Sequence, residues 1–438
     1  MGNAGIYVGL DIGTTSIKVI VSEYVNGQLN VIGIGNERSV GLNRGIVVDI
    51  DKAVVSVQKA IKQAEEKANI QINEVHVGIP ANLLQIIPCN GMIAVSDESK
   101  EITNEDVVNV ASAALVQNLP PERDIIDIIA DEFVVDGFDG IKDPRGMIGV
   151  RLEMHGSVYT GPKTIIHNLK KCVENAGLTI RETIVNPLAL ASVAMSDGER
   201  DFGTVLIDLG GGQTTASVIH DHKLKFTYVD QEGGDFVTKD ISVVLNTSVE
   251  NAEKLKRNYG FANSDLASED DIFPVDVVGQ SEPLNISEKY LSEIIEARIS
   301  QILDKIKNAL DATKALDLPG GVILTGGLAA LPGISELASE ILQVQVKTYV
   351  PDQMGLRYPS FAQALGLINY AVRQDEVTLL VKSAMGLDGD QLSYSVVEMD
   401  NDKPKKQAVK GQTKKTKKPK TSKDPLKSVK NFFNEFFD

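Results

Sequence analysis

Cysteine and long apolar runs are both scarce in this 438-residue sequence. Cys89 and Cys172 are too few for a disulfide framework, and no CxxC motif or Cys/His cluster suggests a metal site. The N-terminal region lacks the basic, apolar and small-residue succession of a signal peptide, and no run of about 18 apolar residues predicts a membrane span. We therefore expect a protein of the reducing cytosol, in which any membrane contact is peripheral.

Charge is unevenly distributed along the chain, whose net charge is −16. Residues 401–438 contain twelve lysines and four acidic residues, which leaves −24 on residues 1–400. An acidic body argues against nucleic acid as the main partner, whereas the basic end suggests an anionic surface. With 42% hydrophobic and 24% charged residues, most of the chain is expected to pack into globular domains.

The segment DIGTTS at residues 11–16 lies between two runs of alternating apolar residues, a pattern that predicts strand, tight turn and strand. A similar segment, DLGGGQTT, returns at residues 208–215, and the two aspartates are 197 residues apart. This spacing indicates duplication of a whole domain rather than a short repeat. A third glycine turn, TGG at residues 325–327, follows another predicted strand. The sequence therefore predicts two related halves.

These turns have the composition of a nucleotide site. Backbone N–H groups and hydroxyls can bind phosphate oxygens, and glycine lets the backbone approach closely. Asp11 and Asp208 end the strands before the first two turns and could together hold Mg²⁺ through water. Glu253 and Lys256 share a predicted helix face and could edge an adenosine pocket, with a solvated charge pair as the alternative. One such turn is a weak signal, but three in succession predict a nucleotide cleft.

Two further segments stand outside this repeat. Residues 82–161 contain strand-like and helical runs and could form a small inserted α+β domain. Residues 376–400 alternate weakly, which allows either an extra edge hairpin or the start of a linker.

Residues 424–438 differ from the lysine-rich stretch 403–423, which predicts a flexible linker. Asp424 and Pro425 suit the start of a helix of about 21 Å, too short to span a bilayer. Its apolar stripe consists of Leu426, Val429, Phe432, Phe433, Phe436 and Phe437, with Lys427 and Lys430 beside it. This pattern predicts an amphipathic helix in the membrane interface, with a helix docked on its own domain as the alternative.

Together, DIGTTS, DLGGGQT and LTGG, with GGD and AEKLK between the last two, resemble the actin-like ATPase superfamily. Within it the sequence is most similar to the FtsA family, through RGIVVD at 44–49, NPLA at 186–189, GGD at 233–235 and YPSF at 358–361. The resemblance covers about residues 5–375. It implies an α/β protein of the actin-like two-lobed ATPase fold, made of duplicated ribonuclease H-like halves, with an inserted α+β domain called 1C.

The resemblance, together with the composition of the C-terminal segments, predicts domain boundaries. They are 1–81 and 162–203 for subdomain 1A, 82–161 for 1C, 204–375 for subdomains 2A and 2B, 376–402 for a C-terminal extension, 403–423 for the linker and 424–438 for a membrane-targeting helix.

ATP binding between the lobes is a further implication of the resemblance. The implied ATP-binding residues are Gly13, Thr14, Thr15, Ser16, Lys18, Gly210, Gly211, Gly212, Gln213, Thr214, Gly234, Glu253, Lys256, Gly326, Gly327 and Leu328. Asp11 and Asp208 would place Mg²⁺ through water. In subdomain 2B, Arg298 matches a family position near the contact with the FtsZ C-terminal tail.

The function implied is that of a polymerising cell-division protein. It would tether the FtsZ ring to the cytoplasmic face of the cell membrane at the septum and help to recruit later divisome proteins. The implied partners are the FtsZ tail, further copies of the chain, anionic lipids and other divisome proteins, without nucleic acid.

One departure from the superfamily bears on hydrolysis. Chaperone relatives have a glutamate before the proline that corresponds to Pro187, whereas this chain has Asn186. Without a carboxylate there to orient or deprotonate water, we predict at most slow ATP hydrolysis. The alternatives are a PilM-like or MreB-like scaffold, or a sugar-kinase-type phosphotransferase, for which no motif for a second-substrate acid is found.

Overall fold

The computed structural model describes residues 5–95, 100–116 and 119–386. The strands are β1 (Gly5–Ile12), β2 (Ser16–Val25), β3 (Gln28–Arg38), β4 (Leu42–Asn43), β5 (Ile46–Val47), β6 (Glu74–Ile79), β7 (Gln85–Ala94), β8 (Arg123–Val135), β9 (Phe138–Ile141), β10 (Arg151–Pro162), β11 (Thr179–Val185), β12 (Thr204–Leu209), β13 (Thr214–His220), β14 (Lys223–Asp230), β15 (Ile272–Val275), β16 (Leu284–Ser287), β17 (Val322–Thr325) and β18 (Val346–Thr348). The helices are α1 (Ile50–Ala68), α2 (Asn104–Ala114), α3 (Lys163–Asn175), α4 (Asn186–Ala194), α5 (Asp197–Phe202), α6 (Gly234–Val244), α7 (Val249–Tyr259), α8 (Glu288–Asp311), α9 (Ile334–Leu342), α10 (Ala362–Val372) and α11 (Glu376–Ser383).

The predictions for the linker 403–423 and the amphipathic helix 424–438 lie outside the described residues, as does the stretch 387–402. Among the helices that the structure describes, none combines the length and apolar character needed to cross a membrane.

The first lobe is built on a five-stranded sheet of order β11-β6-β1-β2-β3. Strands β1 to β3 form an antiparallel meander, while β6 and β11 run parallel to β1. Side chains of β1 alternate between two cores: Val8 and Leu10 pack with α1 and α3, and Tyr7 packs with α10. Helix α10 can approach the sheet closely because Gly9 has no side chain. A Cβ at this position would collide with the Ala364 carbonyl.

The second lobe repeats this topology with the order β14-β13-β12-β17-β18. Here β12 to β14 form the antiparallel meander, and β17 and β18 run parallel to β12. Its core includes one face of α8, where Leu291, Ile295 and Leu303 are fully buried. In both lobes a glycine turn joins the first two strands of the meander and follows a strand that ends in Asp-X, so the predicted duplication is confirmed.

An antiparallel sheet of order β7-β10-β8-β9 lies between β6 and α3 in the chain and forms the inserted domain. Helix α2 packs on it and places Val107 and Val110 in a shared core with Leu152 and Met154. The helix begins with a capping box at Thr103, which fixes where it starts. The predicted inserted α+β domain is thus present in the fold.

Residues 376–383 form helix α11, rather than the edge hairpin or linker considered from the sequence. Asp375 caps the helix by accepting a hydrogen bond from the Thr378 backbone N–H at 2.8 Å. Its Val377 and Val381 belong to the core of the inserted domain. Val377, Leu379 and Val381 alternate as in a strand, but Val377 and Val381 also share a helix face, so a segment this short does not separate the two periods.

Candidate nucleotide-binding cleft

Two glycine-containing turns from opposite lobes face each other across the cleft. The first joins β1 to β2 and contains Thr14 and Thr15, and the second joins β12 to β13. A side chain at Gly211 would collide with the Thr15 side chain, and one at Gly212 would collide with Thr14. Glycine therefore allows two hydroxyl-bearing loops and their backbone N–H groups to converge on one small volume.

Two carboxylates lie at the ends of the strands beneath these loops. Burial raises the pKa of Asp11 above its ordinary value, and the Lys18 ammonium partly opposes that shift. Burial and the nearby Asp11 charge raise the pKa of Asp208 from 3.8 to about 6. Lys18 Nζ lies 3.7 Å from Asp11 Oδ2 and donates to Ser16 Oγ at 2.7 Å. Two carboxylates against one lysine leave negative charge that suits a hydrated divalent cation.

The third glycine turn lies against the second carboxylate. Gly326 has a φ of +92° and packs on the Asp208 side chain and the Leu209 carbonyl, where any Cβ would collide. A Cβ at Gly234 would lie 3.3 Å from Leu328 Cγ and 3.4 Å from Lys256 Nζ. The structure thus brings the start of α6, the residues after Gly326 and helix α7 together beside the second carboxylate.

Lys256 is buried, so the solvated charge pair considered from the sequence is wrong. Its Nζ lies 2.6 Å from Glu253 Oε2 and donates to Thr238 Oγ1 at 2.7 Å and to the Gly234 carbonyl at 2.9 Å. Although burial opposes it, the charge and hydrogen bonds of Lys256 and the hydrogen bonds of Thr238 and Arg257 hold the pKa of Glu253 below its ordinary value. This network fixes α7 against the start of α6.

Sequence reasoning missed several residues that surround the two glycine turns, including those that connect the lobes there. Asn82 is 6% exposed and donates through Nδ2 to Gln213 Oε1 at 2.9 Å. Arg44 Nη1 also reaches the second lobe and donates to Gln231 Oε1 at 2.7 Å, while within the first lobe the Gly45 backbone N–H donates to Thr14 Oγ1 at 2.7 Å. The RGIVVD motif contains two of these residues, but its spacing alone does not place them in the cleft.

A small cavity lies behind Asp208. It has a volume of about 20 Å³, enough for one water molecule, and its lining includes Asn186, Gln213, Thr215 and Ser217. Asn186 Oδ1 accepts a hydrogen bond from Gln363 Nε2 at 3.0 Å. The position that holds a carboxylate in chaperone relatives is therefore a neutral amide committed to a neighbouring side chain.

Arg298 on α8 is held inside the second lobe. Its guanidinium contacts Asp240 at 2.5 and 3.1 Å, Glu232 at 3.1 Å and Gln301 at 2.6 Å, and its side chain is 20% exposed. The pKa of Arg298 is raised by its hydrogen bond to Asp240. It thus joins α8 to α6, and its part in any partner contact stays a prediction.

Comparison with solved structures defines the class of protein. The fold is similar to a chain of the PilM–PilN type IV pilus biogenesis complex, with a TM-score of 0.58, 15% identity and coverage of 85% of this chain and 100% of that chain. It is also similar to MreB5 of Spiroplasma citri bound to ADP, with a TM-score of 0.51, 13% identity and coverage of 82% and 94%. The two lobes with duplicated sheets are those of an actin-like α/β fold.

Sequence comparison then defines the family. A model described as "Cell division protein FtsA" matches residues 205–366, and one described as "SHS2 domain inserted in FTSA" matches residues 82–160. FtsA of Enterococcus hirae is 56% identical over 100% of both chains, and FtsA of Enterococcus faecalis is 61% identical over 90% of both. FtsA of Bacillus subtilis is 45% identical over 86% of both. The chain belongs to the FtsA family of cell division proteins.

Proposed function

We propose that this chain binds Mg-ATP in its interlobe cleft, polymerises, and tethers the FtsZ ring to the cytoplasmic membrane through residues 424–438. It would act at the septum and help to recruit later divisome proteins. The observation that carries the nucleotide part is the pair of opposed glycine turns above Asp11 and Asp208. Family membership supports the division role over a pilus scaffold or a sugar kinase.

Each part of the cleft would have a separate task toward ATP. Backbone N–H groups and hydroxyls of residues 13–16 and 210–214 would bind phosphate oxygens, with Lys18 adding a positive charge. Gly234, Gly326, Gly327 and Leu328 would form the nucleoside end, edged by Glu253 and Lys256. Asp11 and Asp208 would hold Mg²⁺ through water, and the ion would neutralise phosphate charge.

ATP would serve mainly as a structural ligand and polymerisation switch. Asn186 has no carboxylate to take a proton from water, and its carbonyl is already hydrogen-bonded to Gln363. Support for a nucleotide and a filament comes from fold neighbours: MreB5 of Spiroplasma citri is bound to ADP in one structure and to AMPPNP in another, and MamK forms a double helical filament.

The membrane part rests on the stripe of six apolar residues and the lysines before it. Each lysine near an anionic leaflet contributes about 1 kcal/mol, and polymerisation would multiply weak single attachments. For FtsZ, the expected surface is that of the second lobe around α8. Because Arg298 is tied to Asp240 and Glu232, its role there would be to hold α6 and α8 in position.

The first test is co-sedimentation with anionic liposomes, with and without Mg-ATP and a peptide of the FtsZ C-terminus. The full chain should pellet with lipid and bring the peptide down, whereas truncation after Lys423 should abolish pelleting. Phe433→Ser with Phe437→Ser should act like the truncation. The matched control, Asn431→Ser with Asn434→Ser, changes residues beside the stripe and should still pellet. Equal pelleting of all variants would refute the tether.

The nucleotide part is tested by titrating a fluorescent ATP analogue with and without Mg²⁺. Asp208→Asn should remove most of the Mg²⁺-dependent gain in affinity, because it deletes one of two carboxylates at the cleft. Asp139→Asn, on an exposed strand of the inserted domain, is the control and should bind normally. Unchanged Mg²⁺ dependence in Asp208→Asn would contradict the assignment.

A further inference from the structure

A lysine with no exposed surface lies where three parts of the chain meet. Lys382 on α11 is 0% exposed, and its Nζ lies 2.6 Å from Glu182 Oε1 and 3.0 Å from Asp127 Oδ2. Glu182 comes from β11 of the first lobe, and Asp127 comes from β8 of the inserted domain. Both carboxylates are also buried. A single ammonium therefore joins the two domains and the helix that follows both in sequence.

On the side of the first lobe, a strand irregularity and several polar neighbours hold Glu182 in place. The pairing of β11 with β6 shifts register between Ile180 and Glu182, so that Glu182 lies opposite His76. Such bulges re-aim a side chain. Gln374 Nε2 donates to both Glu182 oxygens at 2.7 and 2.9 Å, and His76 Nδ1 lies 3.6 Å from Oε2. The Tyr370 ring centroid lies 5.1 Å from Lys382 Nζ.

Helix α11 itself belongs to the inserted domain. Val377 and Val381 are buried in the same core as α2, whereas α10, which precedes α11, is buried in the first lobe. Arg145 in the inserted domain also pairs with Glu376 at 3.1 Å. The chain thus leaves the first lobe after α10, and α11 packs as a second helix on the inserted sheet.

We propose that Lys382, Asp127 and Glu182 form a seam latch that holds the inserted domain, with α11 attached, in one orientation against the first lobe. Opening the latch would let the inserted domain and α11 turn as one unit. Three chain crossings join the domains, near β7, before α3 and before α11, and the two sheets share no strand, so each would keep its own hydrogen bonds if the domain turned.

The latch has two sides that mutation can separate. Glu182→Gln removes the charge on the lobe-1 side and leaves Lys382 paired with Asp127 inside the inserted domain. Lys382→Met removes the cation but keeps the length of the side chain. A neutral cluster, Asp127→Asn with Glu182→Gln and Lys382→Met, retains the shape without buried charge and guards against loss of folding.

The experiment measures the distance between two spin labels on the full chain. Cysteines replace exposed Asp139 in the inserted domain and exposed Lys62 on α1, and the native cysteines are buried. We expect a narrow distribution for the parent, and at least a twofold broader one for Glu182→Gln, Lys382→Met and the neutral cluster. The control Lys289→Met removes an exposed lysine paired with Glu269 at 2.8 Å and should leave the width unchanged.

Hydrogen exchange supplies a second readout. In Glu182→Gln, exchange should rise at least threefold along β11, while α11 stays protected because it moves with the inserted domain. The latch is overturned if folded Glu182→Gln and the folded neutral cluster keep the parental width. It is also overturned if α11 alone loses protection while the width stays parental, since Lys382 would then only dock that helix. Neither readout involves nucleotide, lipid or FtsZ, so the result is independent of the proposed function.

Discussion

The proposed nucleotide cleft and the seam latch each contain two carboxylates and one lysine, but they differ in how those charges are satisfied. In the cleft, Asp11 and Asp208 face Lys18, whose Nζ is 3.7 Å from Asp11, and the pKa of Asp208 is raised to about 6. In the seam, Lys382 reaches both carboxylates at 3.0 Å or less. The difference shows how two acids and one lysine can form either a site for an added cation or an internal contact.

The surroundings of the carboxylates explain the two outcomes. Although burial opposes it, Lys382 and His76 lower the pKa of Glu182 to about 2, while burial raises that of Asp127 to about 6. In the seam, therefore, Lys382 and Gln374 of the protein itself supply the hydrogen bonds that the two carboxylates accept. In the cleft, the groups beside the carboxylates are hydroxyls and backbone N–H groups, which suit phosphate, so the remaining negative charge suits Mg²⁺.

The largest expected effect comes from removing the cation of the seam latch. Lys382→Ala leaves Asp127 and Glu182 buried without a counter-charge, and we expect the free energy of unfolding to fall by about 3–5 kcal/mol. Urea denaturation followed by circular dichroism measures this. Lys289→Ala, at an exposed ion pair, is the control and should match the parent. A loss no greater than that of the control would show that the seam charges are weakly coupled.

The opposite sign is expected in the cleft. Because the native pKa of Asp208 is raised from 3.8 to about 6, parental stability falls as pH rises through that interval. Without nucleotide, Asp208→Asn should therefore raise the free energy of unfolding by about 2–3 kcal/mol at pH 7.5. The gain should shrink as pH falls below 6 and vanish well below pH 3.8, where the carboxyl is protonated in both the native and the unfolded state. A loss of stability at pH 7.5 would mean that Asp208 is already neutralised by the protein.

A smaller effect concerns hydrolysis beside the water-sized cavity. Asn186→Glu would place a carboxylate where chaperone relatives have one, and it could still accept the hydrogen bond from Gln363. We expect steady-state Mg-ATP hydrolysis to rise by about tenfold or more, since a well-positioned general base contributes about 10²–10⁴-fold. Asn186→Gln is the matched control and should leave the rate unchanged. Fast turnover by the parent would refute the assignment of Asn186.

The smallest effect is expected at the exposed tie between α11 and the inserted domain. Glu376 pairs with Arg145, but its side chain is 82% exposed. Water and salt screen such a pair, so Glu376→Gln should change the free energy of unfolding by less than about 1 kcal/mol. The same urea titration tests this beside Lys382→Ala. Comparable losses in both variants would remove the contrast between buried and exposed ties.

Local pattern and motif order sufficed for much of the architecture. The segments DIGTTS at residues 11–16 and DLGGGQTT at residues 208–215 predicted the duplicated halves, because strand alternation and glycine turns are local signals. The same signals predicted that the three glycine turns share one cleft, and the structure places them together. The inserted domain was predicted from its strand-like and helical runs and its position, although its long strand β10 was not recognised.

Tertiary structure alone decided how the charged residues are used. Lys382 and Asp127 are 255 residues apart, and Lys382 and Glu182 are 200 apart, so no local period links them. The same applies to Asn82 and Gln213, which are 131 residues apart across the cleft. In the sequence these are ordinary polar side chains, and only their burial against partners from other domains makes them a latch or a connection between lobes.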